Sequence, residues 1–211
     1  MTRIILVRHG QTEWNRMERF RGHADVPLNE VGLAQAEATG SRIASEWNVN
    51  AVYSSPLSRA VRTAEAIAKR YKLNVQPHPD LIDISFGAWE GLTVEKVRES
   101  WPDALHAWYY QPAEATIPGG ETLAKLRTRA MDAIHRLVAE HQGQTIVIVG
   151  HTVINRIILL GILGLGNERF WQLEQDPCAI NVIEAKNDDF VLAALNDTCH
   201  LRSRSNDPGH Q

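Results

Sequence analysis

Cysteine is scarce in this chain: Cys178 and Cys199 are the two thiols among 211 residues. Two cysteines cannot staple a domain of this size, so free thiols in a reducing, cytoplasmic setting are expected rather than a disulfide scaffold. Charge of one sign is also lacking. Lys and Arg total 22 against 25 Asp and Glu, a formal net charge of −3. Without a basic stripe or polybasic cluster, neither nucleic acid nor an anionic membrane surface is an expected partner. Long apolar runs are missing too. The most apolar stretch, residues 153–165, contains Asn155 and Arg156 and is too short to span a bilayer. The opening Met-Thr-Arg enters an apolar run directly, with none of the pattern of a secretory signal.

What is present suits one α/β domain with a real core, since 44% of the residues are hydrophobic. Short runs rich in Ile and Val predict strands over 3–7, 51–53 and 145–149. A further pair is predicted over 178–184 and 190–195, joined through a turn in "KNDD". Helical spacing of apolar residues marks 57–68, 123–138 and 30–47, the last with Asn29 as its cap. Ser55 and Pro56 are expected to cap and open the 57–68 helix. The stretch 153–163 is apolar nearly all round and reads as a buried helix. Alternation of strands and helices predicts a largely parallel sheet covered on both faces, with the closing hairpin as an antiparallel edge. Residues 91–120 show no clear period. They hold Trp101, Trp108, Tyr109 and Tyr110 and read as an insertion over one end of the sheet. The polar tail after residue 201 reads as frayed.

Two of the predicted strands end on a histidine. "IILVRHG" ends on His9, and "TIVIVGHT" ends on His151. In open α/β sheets ligands bind outside the carboxyl ends of the strands, so two such histidines can share one crevice. Arg8 precedes His9, and a buried arginine needs an anionic partner. Arg59 falls in the first turn of the helix after "VYSSP", where free N–H groups and the helix dipole favour an anion. Two arginines, a helix end and two histidines make a pocket for a phosphoryl group, whose oxygens the guanidinium fork fits bidentately. Arg62, three residues on, reads as a solvated surface side chain.

The segments "LVRHGQTEWN", "RGHADVPLNEVGLAQA", "VYSSPLSRAVRTAEAIA", "DISFGAWEGLT", "PGGETL" and "VIVGHT" together resemble the histidine phosphatase superfamily, in its phosphoglycerate-mutase-like branch. The resemblance implies a three-layer α/β/α sandwich with a mainly parallel sheet and an antiparallel edge strand. It implies a single domain over residues 1–201, with a substrate-covering insertion at about 91–120 and a flexible tail over 202–211. It also implies a phosphomonoesterase working through a phosphohistidine on His9, with Arg8, Arg59 and His151 completing the catalytic pocket. Asn15 matches a phosphate contact of the family, and Arg19 or Arg21, with Gly22, is expected to touch phosphate or substrate. The family's proton donor falls at Asp83, where relatives commonly carry Glu; Glu90 is the rival and reads as structural. Gly10 is expected to allow a close backbone approach, and Trp14 and Trp89 to lie in the core.

No cofactor is implied, and no metal: no His and Asp cluster has ligand spacing. The cofactor-dependent mutases of the family carry a longer, arginine-bearing insertion. Here the insertion contains Arg98 alone among arginines and ends in "PGGE", so a phosphatase is favoured over a phosphoglycerate mutase. A non-catalytic phosphate-binding module is the third reading, which the full set Arg8, His9, Arg59 and His151 argues against. The expected partner is a small phosphomonoester. The ending "LNDTCHL" resembles both metal-independent phosphoserine phosphatases and α-ribazole phosphatases, and it places His200 as a substrate contact. Phe86 stands where the phosphoserine enzymes tend to have His, and suits a less polar leaving group. The sequence leaves a homodimer open.

Overall fold

The computed structural model describes residues 1–186 and 189–201. The centre of the "KNDD" turn and the tail after residue 201 lie outside the described residues. The chain begins with β1 (Thr2–Arg8), followed by the single-turn helix α1 (Glu13–Arg16) and α2 (Glu30–Glu46). Then come β2 (Ala51–Ser54), α3 (Ser58–Ala68) and β3 (Val75–Pro77). The segment expected as an insertion contains α4 (Val94–Ser100) and α5 (Pro102–Tyr110). The rest is α6 (Leu123–Glu140), β4 (Thr145–Gly150), α7 (Thr152–Ile162), β5 (Ile180–Lys186) and β6 (Asp189–Asp197).

The strands form one sheet in the order β3-β2-β4-β1-β5-β6. The first four in that order run parallel, and β5 turns antiparallel to β1 and to β6. Alternation along β1 and β4 divides the core in two. Ile4, Leu6, Ile146 and Ile148 face a layer containing α5, α6 and α7. Ile5, Val7, Val147 and Val149 face α2 and α3. Both faces of the central strands are therefore dry, which is why they read as continuous apolar runs. No helix among the described residues is long and apolar enough to cross a membrane.

Local signals explain most boundaries. Asn29 caps α2 through Oδ1, which accepts from Gly32 N at 2.9 Å. The start of α3 differs from expectation. Leu57 occupies the cap position with no side-chain bond, Pro56 lies before it, and Ser55 Oγ accepts only from Leu57 N, at 3.3 Å. Strand β3 escaped the sequence because it has three residues, is half-exposed and ends in proline; as an edge strand it tolerates that proline. Helices α4 and α5 escaped because Trp101 ends one and caps the next, so neither runs long enough to show a period. Thr93 caps α4, and Pro102 opens α5. Val97, Leu105 and Trp108 then bury this pair against the layer of α6 and α7.

Helices α2 and α3 meet backbone to backbone. A Cβ on Gly40 would lie 2.4 Å from the Ala66 carbonyl oxygen, so the pair can pack this closely only with glycine there. Gly40→Val should therefore lower stability by about 2 kcal/mol through overpacking. Urea unfolding measures this as a lower midpoint at unchanged slope. Ser41→Ala, on the exposed side of the same helix, should stay within about 0.5 kcal/mol of the parent.

Candidate active site

β1 and β4 lie side by side in parallel, with Arg8 opposite Gly150. Each chain leaves the sheet one residue later, so His9 and His151 emerge together. Their rings meet edge to face with centroids 5.0 Å apart. His9 N continues the ladder to Gly150 O at 3.0 Å, which fixes its backbone. The turn beyond is tight, and a Cβ on Gly10 would lie 2.5 Å from Gly32 O, the close approach expected of that glycine. Gly10 N donates to Thr63 Oγ1 at 3.1 Å, and that hydroxyl donates to Arg59 O at 2.8 Å. The loop after β1 and the first turn of α3 are thereby tied together.

Hydrogen-bond partners fix both imidazole tautomers. His9 Nδ1 lies 2.6 Å from Gly10 O; a carbonyl only accepts, so Nδ1 carries the proton and Nε2 holds a bare lone pair. His151 Nδ1 accepts from Arg59 Nε at 3.2 Å, which puts the His151 proton on Nε2. That Nε2 is buried and has no hydrogen-bond partner among the described residues. The site thus pairs a nitrogen lone pair with a neighbouring N–H donor. Burial first, then Arg59, Arg8 and Arg21, holds the His9 pKa well below that of free histidine. Burial and Arg59 do the same to His151. Both rings are neutral at pH 7.

Among the described residues no carboxylate lies within 4.0 Å of the arginines around them. Arg59, fully buried, donates to Ala24 O at 2.7 Å, to Gly22 O at 2.9 Å and to His151. Arg8 donates to Gln175 O, and its buried Nε has no partner among the described residues. Burial pushes Arg59 down to about 10 and Arg8 to about 9, so both stay cationic at neutral pH. Arg21 lowers Arg8 further and lines the same cavity. Cations held by neutral carbonyls and an imidazole still need an anion.

Asp83 is the acid facing this cluster, and it is 3% exposed. Its Oδ1 accepts from Ile154 N, in the first turn of α7, at 3.2 Å. Burial raises its pKa, while Arg59, Arg21 and the N–H bonds from Ile84 and Ile154 oppose that rise. The Asp83 main chain is clamped as well. Its carbonyl accepts from His23 Nε2 and from Arg129 Nη2, each at 2.9 Å. Arg129 also donates to the carbonyls of Asp80 and Ile82 and forms a two-pronged pair with Glu121, both bonds 2.8 Å. Nothing in the sequence distinguishes Arg129 from a solvated arginine on an amphipathic helix.

Arg8, Arg21, Asp83 and Asn15 line one cavity of about 450 Å³. His9, Arg59 and His151 lie one layer deeper, at most 1% exposed. The outer wall is aromatic, with Phe20, Phe86, Trp108, Tyr109, Phe170 and Trp171. Asn15 lines the cavity while its side chain holds the Thr12 cap of α1 at 2.9 and 2.8 Å. Arg19 also lines it and donates to Gly91 O at 2.6 Å.

Several expected residues take other places. Gly22 presents its carbonyl to Arg59 and is not part of the cavity wall, so it holds the arginine rather than a substrate. His200 lies away from the cavity, with Nε2 3.0 Å from Thr39 Oγ1 on α2. The short turn over Cys199–Leu201 packs the end of the described chain against that helix. Glu90 Oε1 accepts from His23 N and Phe86 N at 3.1 Å, which joins the loop after β1 to the loop of Asp83, and the carboxylate raises the pKa of Arg59. Arg62 is paired with Glu65 at 2.8 Å on the surface. Trp89 is fully buried in the core. Among the described residues no group of three or more His, Cys, Asp or Glu side chains could hold a metal ion.

Known proteins are similar to this chain over most of its length. The chain is 35% identical over 201 residues to phosphoserine phosphatase 1 of Hydrogenobacter thermophilus, covering 95% of each. It is 35% identical over 205 residues to the metal-independent phosphoserine phosphatase of Arabidopsis thaliana, covering 96% of this chain and 84% of that one. Among solved structures, a putative alpha-ribazole-5'-P phosphatase of Escherichia coli superposes with a TM-score of 0.85 at 26% identity, over 93% of this chain and 96% of that one. The model of the histidine phosphatase superfamily (branch 1) matches residues 4–198, and the chain belongs to that superfamily.

Proposed function

We propose that the protein is a metal-independent phosphomonoesterase that forms a phosphohistidine at His9 Nε2. The observation that carries this reading is the tautomer pair. Gly10 O accepts a hydrogen bond from His9 Nδ1–H, so the other nitrogen is free to attack phosphorus. Arg59 fixes the His151 Nε2–H as a donor beside it. In the first step His9 Nε2 bonds to phosphorus as the P–O ester bond breaks. The Asp83 carboxyl gives its proton to the leaving oxygen. Arg8, Arg59, Arg21 and the His151 N–H stabilise charge on the equatorial oxygens. In the second step Asp83, now a carboxylate, takes a proton from water as that water attacks phosphorus. The P–N bond breaks, phosphate leaves, and His9 regains its lone pair.

Metal independence rests on the cationic cluster, which supplies the charge a metal would otherwise bring, and on the named property of the Arabidopsis relative. Phosphoserine and α-ribazole phosphate are candidate substrates, after the relatives named for them. Residues 1–201 act as one domain in this reading, with α5 covering the substrate through Trp108 and Tyr109. The near-neutral charge fits a small-molecule enzyme of the cytoplasm without a nucleic-acid partner.

Acid-quenched enzyme should carry a labile phosphoryl group, absent from His9→Ala, and activity should survive EDTA. Full turnover by His9→Ala, or activity lost on chelation and restored by a divalent ion, would contradict the scheme.

Asp83→Asn should slow hydrolysis of an alkyl phosphate on the order of 10²–10⁴-fold. Single-turnover phosphorylation of His9 by para-nitrophenyl phosphate should suffer far less, because that leaving group is already a weak base. Equal slowing of both substrates, or the same leaving-group dependence in Glu90→Gln, would remove Asp83 from the role.

The Asp83 substitution should also be stabilising. A carboxyl whose folded pKa is raised loses stability for the fold as pH climbs from the unfolded value of about 3.9 through the raised one. Asparagine escapes that penalty. Thermal unfolding should show Asp83→Asn gaining on the parent at pH 7, with the gain shrinking toward pH 4.

A further inference from the structure

One cation in the cavity takes no part in the phosphoryl scheme. Arg156 lies on α7, four residues after Thr152, and both line the cavity. Residues so spaced share a helix face, with Arg156 about 6 Å further along the axis from the phosphoryl end. Its guanidinium lies 5.1 Å from the ring centroids of both Phe170 and Trp171. Its Nε is buried without a hydrogen-bond partner, and no carboxylate pairs with it within 4.0 Å among the described residues. Glu174 is the nearest acid to influence it. An arginine held by ring faces keeps its in-plane N–H edge unused.

The rings that hold it are themselves fixed. Trp171 Nε1 donates to Trp108 O at 2.8 Å, and Tyr109 stacks on Trp171 at 5.2 Å. The other arginines of the wall have tasks: Arg8 and Arg21 face the phosphoryl site, and Arg19 binds Gly91 O. Arg156 is therefore a preformed cation on the aromatic side of the same cavity, near enough to Arg8 to lower its pKa yet with no bond of its own to the phosphate cluster.

We propose that Arg156 anchors a carboxylate of the leaving group, so that the preferred substrates are phosphomonoesters of hydroxy acids. The carboxylate would sit a few bonds from the ester oxygen, to match the offset along α7. The planar fork accepts the two carboxylate oxygens side by side. Phe170 and Trp171 keep water from the back of the pair, which strengthens it. The inference rests on the phosphohistidine reading and adds the specificity of the same site.

Matched substrates test it. O-phosphoserine and phosphoethanolamine differ by the carboxylate alone, and in the pair 3-phosphoglycerate and glycerol 3-phosphate the carboxylate is exchanged for a neutral hydroxymethyl group. Wild-type kcat/KM should favour the acid in each pair. Arg156→Gln should lower kcat/KM for the acids about 10- to 100-fold, mainly through KM, as expected for a lost charge-assisted contact. It should lower the carboxylate-free partners far less, so the preference within each pair collapses. Arg156→Lys, which keeps the charge but not the fork, should recover part of it. Equal losses within each pair would assign Arg156 a packing role, and a wild-type enzyme without preference for the acids would overturn the anchor. Unchanged pairs in Arg156→Gln alongside normal para-nitrophenyl phosphate turnover would remove the anchor and leave the phosphatase reading intact. Absence of turnover and of a phosphohistidine in the wild type would remove both.

Discussion

Buried positive charge without a carboxylate counterpart sets the terms for this site. Arg59 is fully buried and Arg8 nearly so, yet their partners are main-chain carbonyls and one imidazole. Carbonyls orient a guanidinium without cancelling its charge, so the field remains for a ligand to neutralise. The histidines stay neutral because that field disfavours a further cation. The same field stabilises an Asp83 carboxylate, and burial works against it. The acidity of Asp83 is a balance between these two opposed effects.

The parts of the site written in short contiguous motifs were legible. His9 and His151 could be paired because each ends an apolar strand, and adjacency of β1 and β4 makes that literal. Arg59 was legible because it opens a helix. What escaped depends on contacts distant in sequence. Arg129 meets the Asp83 segment across 46 residues, and Arg156 meets Phe170 and Trp171 from another element. A surface arginine and a clamped one look alike until the chain folds. The contacts of Gly22 and His200 were illegible for a related reason: a motif position does not say which atom a residue turns toward. Gly22 offers its carbonyl, and His200 turns to Thr39. On the larger scale the alternating layers were clear from periodicity, while β3, α4 and α5 were too short to show one.

Asp83 and the aromatic wall belong to linked but distinct pieces. Arg129, reaching from α6, gathers the carbonyls of Asp80, Ile82 and Asp83 and is itself held by Glu121. The main chain of the 85–88 loop bonds to Pro118 and Glu121, which locks the acid's loop to the far end of the insertion. The near part of the insertion, α5, contributes wall residues and no bond to Asp83. The wall at Trp108 and Tyr109 can therefore vary without displacing Asp83.

The wall also has an optical consequence. Trp108 and Trp171 meet edge to face at 5.9 Å, and Trp108 is buried whereas Trp171 is partly open to solvent. Two indoles that close couple electronically, so they should give the protein a dichroic signal that reports their tertiary packing. Because a cation rests on the Trp171 ring, an anion drawn to that cation changes the ring's surroundings and its emission. The enzyme thus carries its own chromophore at the mouth of the cavity, and filling of that mouth can be followed by intrinsic fluorescence without any label.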